Sequence, residues 1–313
     1  MASTMHRRTF LLGLSGMALS RALPVEAQTS SPDASHAEHH TDAPSPPIGA
    51  DVHEALAALE RNSGGRLGVS AINTGNGIQL QYQADHAFPF CSTFKVILCG
   101  AVLSRPGSLD DVLSQRIHFT QADVVNYSPI SGQHAADGMT VGELCQAALQ
   151  YSDNTAANVL IGLVGGPAAV TSFARSIGDS TFRLDRLETS LNDAVPGDPR
   201  DTTTPAAMAQ SLNTLVLGNS LPADARAQLR AWMVGNTTGD KRIRASAPSG
   251  WQVGDKTGTG DYGTANDIAV LWPGAGAAPY VIAIYHTQAQ ATATPRDDVI
   301  ASAAQIVLTA MKG

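Results

Sequence analysis

Strand-like patterns lie only towards the two ends of this 313-residue chain, and that distribution constrains its fold more than any other feature. Near the start, residues 67–73 and 78–82 alternate around Thr74-Gly75-Asn76-Gly77, which reads as a hairpin. Near the end, strand signals return at 252–256, 268–272 and 280–286, followed by a helix from about Pro295 to Lys312. A first helix is expected from the capping-box spacing of Asp51 and Glu54, stopped by Gly64-Gly65. From residue 90 to about 232 the pattern is mostly helical, with helices at 140–150, 155–164, 167–177, 204–217 and 223–234. Strands from both ends can share one sheet only if the middle of the chain is an insertion. The expected fold class is therefore α/β of the α+β type, an antiparallel sheet built from both termini with flanking helices. An all-helical domain over 90–234 would be inserted into a sheet domain formed by 50–89 and 235–313.

The first 49 residues read differently. His6-Arg7-Arg8-Thr9-Phe10-Leu11-Leu12 opens a modestly apolar stretch that ends in Val25-Glu26-Ala27, so residues 1–27 resemble a twin-arginine export signal cleaved near Ala27. Residues 28–49, rich in Ser, Pro, Ala and His, read as a disordered linker. His36, His39 and His40 within it lack the further ligands a metal site needs, so no metal and no other cofactor is expected. The chain carries a net charge of −7, and removing Arg7, Arg8, Arg21 and Glu26 with the leader takes off +2, leaving −9. An acidic chain without a basic run argues against nucleic acid as a partner. No stretch after the leader suggests a membrane span, and the location expected is the periplasm.

One short motif carries chemistry. Ser92-Thr93-Phe94-Lys95 is the only Ser-x-x-Lys in a chain with four lysines, and it opens a run, Val96 to Leu103, that is apolar on every side. Such a helix is buried, and residues three apart share one of its faces, so a lysine amine would lie within reach of a serine hydroxyl away from water. An amine so placed can take the hydroxyl proton and make the serine a nucleophile. Ser152-Asp153-Asn154 lies between two helices, where it also suits an ordinary cap. Lys256-Thr257-Gly258-Thr259 follows a strand signal and alone would pass for a turn.

In this order the three motifs resemble the serine penicillin-recognising enzymes, and specifically the class A β-lactamases. The resemblance extends through Glu188-x-x-x-Asn192, Arg186 and Asp201 in a segment with the length of an Ω-loop, and through Gly263 to Trp272. It implies a monomeric enzyme acting on penicillins and cephalosporins, small β-lactam molecules, and conferring resistance to them. It also implies roles: Ser92 as nucleophile, Lys95 as its activating amine, Ser152 and Lys256 as the proton route to the leaving nitrogen, and Glu188 as base for the hydrolytic water, which Asn192 helps to hold. Tyr127 would wall the cleft and Asn154 bind the acylamino side chain. Thr257, Gly258 and Thr259 would line the site, with the Thr259 N–H and the Ser92 N–H forming an oxyanion hole. Glu188 separates this reading from a penicillin-binding peptidase, which does not need it. An arginine common in the family is replaced here by Ala265, and Arg242 resembles the substitute used by another branch, with Arg296 in reserve. Cys99 and Cys145 match the family's disulfide, leaving Cys91 free. Cys91 also resembles one half of a bridge found in carbapenem-hydrolysing members, but its partner position here is Gly260.

Overall fold

The computed structural model describes residues 49–312; the expected leader and all but the last residue of the expected linker lie outside them. Ten helices are found there: α1 (Ala50–Ser63), α2 (Lys95–Leu103), α3 (Leu109–Ser114), α4 (Val141–Gln150), α5 (Asn154–Val164), α6 (Pro167–Ser176), α7 (Pro205–Val216), α8 (Ala223–Val234), α9 (Ile243–Ser246) and α10 (Asp297–Lys312). The strands are β1 (Gly65–Asn73), β2 (Gln79–Tyr82), the two-residue β3 (Phe88–Pro89), β4 (Arg116–Ile117), β5 (Met139–Thr140) and β6 (Thr202–Thr203), then β7 (Gln252–Gly260), β8 (Thr264–Trp272) and β9 (Tyr280–Gln288).

Five strands form one antiparallel sheet in the order β2-β1-β9-β8-β7, so the expected sheet from both termini is present. Its central seam joins β1 to β9, with Ala71 opposite Ile282 and Gly65 opposite Gln288. One face packs on α1 and α10 through Leu56, Leu67, Val69, Ile284, Ile300 and Val307. The other packs on the helical part of the chain through Ile268, Val270, Val281, Ala283 and Tyr285. Burial on both faces explains a difference from the sequence reading. β7 and β8 run four residues further, β7 at its C-terminal end and β8 at its N-terminal end, because strands covered on both sides carry no polar alternation to mark their limits. The Lys256-Thr257-Gly258-Thr259 run is therefore strand, not turn.

Helix ends follow local chemistry. The Thr140 hydroxyl accepts from the Glu143 N–H at 3.2 Å while the Glu143 carboxylate accepts from the Thr140 N–H at 2.7 Å, a complete capping box for α4. In α1 the expected box does not form. The helix begins at Ala50 after Gly49, which places Asp51 in the first turn, where it favours the positive end of the helix dipole. Gly64 closes that helix in the left-handed conformation, at φ 74°.

The expected Cys99–Cys145 disulfide is absent, and all three cysteines are buried free thiols. The Cys99 Sγ lies 4.0 Å from the Cys145 carbonyl oxygen, so the two residues pack at the α2–α4 contact without bonding. Burial, with the neighbouring Cys99, pushes the Cys145 thiol well above its ordinary range, which leaves it protonated and unreactive. Ellman titration of the denatured, unreduced chain should give three thiols, and the native protein should react slowly at all of them; one thiol after denaturation would contradict the structure.

Candidate active site

The Ser-x-x-Lys motif forms its own turn. Cys91–Phe94 is a 3-10 helix that runs directly into α2, and in that geometry residues three apart lie one above the other. The Lys95 Nζ consequently donates to the Ser92 Oγ at 2.9 Å. Lys95 is wholly buried, and an ammonium away from water requires acceptors. It has five: the Ser92 Oγ, the Ser152 carbonyl at 2.8 Å, the Asn154 Oδ1 at 2.7 Å, the Glu188 Oε1 at 2.9 Å and, more distantly, the Ser152 Oγ at 3.5 Å. An ammonium has three protons for these five oxygens, so two contacts are always underserved. The Ser92 hydroxyl also lies 3.3 Å from the Glu188 Oε1, within reach of a second base.

Ser152-Asp153-Asn154 does more than cap a helix. The Asp153 Oδ1 accepts from the Ala156 N–H at 2.9 Å as the α5 cap and from the Ser131 hydroxyl at 2.5 Å, while its Oδ2 accepts from the Ile130 and Ser131 N–H groups. That carboxylate pins the 125–131 loop against α5. The Asn154 N–H donates to the Tyr127 carbonyl and its side-chain amide to the Asn126 carbonyl, both at 3.0 Å. Tyr127 is held at the rim of the cleft, 57% exposed.

Glu188 is carried on a loop whose neck is closed by Asp201. That carboxylate accepts from the Arg186 Nε at 2.6 Å and from the N–H groups of Asp185 and Arg186. Asn158 fixes Glu188 from below, exchanging hydrogen bonds with its N–H at 2.9 Å and its carbonyl at 2.8 Å. The sequence reading omitted Asn158, although its position four residues after Asn154 on one face of α5 was an available signal. Asn192 donates from Nδ2 to the Glu188 Oε2 at 2.5 Å, while its own Oδ1 is buried without a protein partner.

The third wall is β7, an edge strand whose free side meets the Ser92 turn. Gly258 is what lets it approach: a Cβ there would sit 2.7 Å from the Phe90 carbonyl and 3.2 Å from the Ser92 nitrogen. The Lys256 Nζ donates to the Ser152 Oγ at 3.0 Å and to the Thr257 carbonyl at 2.8 Å. Its burial, and then the charge of Lys95, push this amine down to about 7. The Thr257 hydroxyl meets that of Thr238 at 2.6 Å, a contact with no sequence signal. The Arg242 Nη2 donates to the Thr259 hydroxyl at 2.8 Å, which brings this arginine to the β7 wall; Arg296 instead pairs with Asp298.

One cleft of about 550 Å³ is lined by Ser92, Tyr127, Ser152, Asn154, Asn192, Thr238, Arg242, Thr257, Thr259 and Gly260 among others, with Lys95, Glu188 and Lys256 bonded to its lining from behind. It offers a hydroxyl flanked by two bases, a second hydroxyl between two amines, and a cationic, hydroxyl-rich wall suited to an anion. No group of three or more His, Cys, Asp or Glu among the described residues is arranged as a metal site. Because a Gly258 side chain would meet backbone, Gly258→Ala should lower stability by about 1–3 kcal/mol, read as a reduced thermal midpoint. An unchanged midpoint would show that β7 can withdraw freely.

Comparison with known proteins gives this cleft a family. The model of the β-lactamase enzyme family matches residues 51–311. The β-lactamase CTX-M-25 of Escherichia coli is 57% identical over 257 residues, spanning 82% of this chain and 88% of that one. The β-lactamase OXY-2 of Klebsiella oxytoca is 55% identical over 256 residues, with the same coverage. Among solved structures, the β-lactamase of Desulfarculus baarsii DSM 2075 superposes with a TM-score of 0.83 at 54% identity, covering 84% of this chain and 98% of that one. An ancestral class A β-lactamase superposes at 0.78 with 55% identity, covering 83% and 99%. With the fold, the family match and these relatives in agreement over the whole described region, the chain belongs to the β-lactamase enzyme family, in its class A.

Proposed function

We propose that this β-lactamase opens the lactam ring of penicillins and cephalosporins through a covalent ester on Ser92, and that water activated by Glu188 hydrolyses the ester. The observation that carries the reading is the buried ion pair of Lys95 and Glu188, both of whose charged groups reach the Ser92 hydroxyl. As the Ser92 oxygen bonds to the lactam carbonyl carbon, its proton passes to the Glu188 carboxylate, or to the Lys95 amine once Lys95 has given a proton to Glu188. The carbonyl oxygen, gaining charge, is received by the N–H groups of Ser92 and Thr259. Ser152, linked to Lys256, returns a proton to the departing nitrogen, so the C–N bond breaks without leaving an amide anion.

The second half of the reaction uses the other side of the ester. Asn192 presents an unpaired buried carbonyl oxygen beside the carboxylate it donates to, which suits a water held between the two. Glu188 takes that water's proton, the hydroxide oxygen bonds to the ester carbon, and Ser92 leaves with its proton restored. The substrate carboxylate is read as lying on Thr257, Thr259 and Arg242, and the acylamino group on Asn154. Some oxyimino cephalosporins fall within the proposed range, and carbapenems, with Gly260 in place of a bridging cysteine, turn over slowly. The sequence supports export to the periplasm through the 1–27 leader, and the family resemblance supports action there as a monomer.

Three measurements test this. Turnover of many equivalents of a chromogenic cephalosporin is expected, and single-equivalent labelling without turnover would reject the hydrolase reading. Glu188→Ala should accumulate a penicilloyl adduct on Ser92, visible by mass spectrometry, with deacylation slowed at least about a hundredfold; normal steady-state turnover would remove Glu188 from the mechanism. Because Lys256 sits near 7, it is cationic at lower pH and neutral at higher pH. Attraction for the substrate anion should weaken as pH rises, so kcat/KM should fall on an alkaline limb beginning near 7 in the free enzyme. A flat profile from about pH 6 to about pH 9 would exclude that role.

A further inference from the structure

We propose that a cleft of about 460 Å³ beside the Glu188 loop is a second ligand site, which takes a small aromatic carboxylate with its ring against the loop and its charge on Arg66. It shares no lining residue with the catalytic cleft. One wall is the return arm of the loop, residues 194–199, and another is the end of the sheet where Gly65 of β1 faces Gln288 of β9. Pro89 and Thr202, which pair between β3 and β6, also line it. With Val195, Pro196 and Pro199, most of the lining is apolar, and Val195 is 44% exposed, area that a bound ring would take out of water.

The charged side of the cleft selects the ligand. Arg66 has no carboxylate partner among the described residues, yet its guanidinium is held in place. The guanidinium carbon lies 4.5 Å from the ring centroid of the buried Phe88, and Nη2 donates to the Ala87 carbonyl at 3.0 Å. That contact uses one of five N–H bonds and leaves four without a protein acceptor among the described residues. A planar cation fixed on an aromatic face fits a carboxylate, which can accept two of these bonds side by side. The other charged residue of the lining, Asp198, is already neutralised: both its oxygens accept from the Arg200 side chain, and one also accepts from the Arg200 N–H. An anion therefore finds an unpaired charge here, and a cation does not. Since residue 194 follows Asn192 by two positions and Asp201 follows Pro199 by two, a ligand against this arm braces the loop between Asn192 and its neck.

The probe is 2-naphthoate, with 2-naphthamide as its uncharged counterpart. Calorimetric titration of the parent enzyme should show one saturable site for naphthoate with Kd at or below about 1 mM, the scale for a ligand of this size. The amide should bind about fivefold more weakly, as expected for a charge pair at an exposed arginine. Arg66→Ala should weaken naphthoate by about the same factor, leave the amide unaffected, and keep turnover of a chromogenic cephalosporin within about twofold of the parent. Naphthoate should slow hydrogen exchange in peptides covering 194–201, where the Asp198 N–H donates to the Val195 carbonyl, and not in those covering 152–154 or 256–261. Equal affinity for acid and amide, no response to Arg66→Ala, or no saturable binding would each overturn the proposal. Slowed exchange confined to 152–154 and 256–261 would place the probe in the catalytic cleft and overturn it as well. So would a dimer, seen by sedimentation velocity, whose formation excludes the probe, because the cleft would then belong to a second copy of the chain. Should the alanine variant not fold, Arg66→Gln makes the same comparison.

Discussion

The buried ammonium of Lys95 is the interaction on which the site depends. A cation in this position is tolerated because three parts of the cleft contribute oxygens to it: the 3-10 turn gives Ser92, the α4–α5 junction gives Ser152 and Asn154, and the loop closed by Asp201 gives Glu188. Removing any one supplier strands charge in a dry interior, which costs more than a surface contact would return. The same need couples the walls mechanically. A shift of the Glu188 loop is felt at α5 through Asn158, and a shift of α5 is felt at Tyr127 through Asn154 and Asp153.

Burial and then the charge of Lys95 disfavour the charge of a second amine, Lys256, and Ser152 stands between the two with its hydroxyl on Lys256 and its carbonyl on Lys95. The pair places positive charge on one side of the cleft and leaves Lys256 the more easily deprotonated. Nearby carboxylates temper this arrangement. Asp255, on β7 and paired with Arg244 and Asn236, and Asp267, on β8 and bonded to the Ile243 N–H, act on Lys256 in the opposite direction, although burial pushes both carboxyls up.

Much of this was legible in the sequence, for physical reasons that differ by element. Ser92 and Lys95 could be placed together because three-residue spacing fixes side-chain direction in any helical turn. Glu188 and Asn192 followed the same rule, and a hydrogen bond joins them. The sheet from both termini was readable because strand signals cluster at the chain ends. What was not readable depends on contacts distant in sequence. The limits of β7 and β8 are set by layers on both faces, and the meeting of Thr238 with Thr257 or Asp297 with Arg242 follows from packing alone. The cysteine pairing expected by resemblance failed for a related reason: similar neighbours do not ensure that two sulfurs are bonded.

The seam between β1 and β9 joins residue 65 to residue 288, almost the full described length apart. A contact of such high order costs loop-closure entropy before it returns any burial, so this topology folds late and as a whole. While the chain is being synthesised, β1 has only β2 beside it, and its other edge awaits a strand not yet made. β7, which carries Lys256 and Thr259, is anchored to that same sheet through β8 and β9. The turn that carries Ser92 and Lys95 emerges early in synthesis, but the β7 wall it meets is fixed only after β9 has emerged. A ribosome-bound fragment ending before residue 280 thus holds Ser92 and Lys95 without a cleft, which makes maturation of the site an event of chain completion.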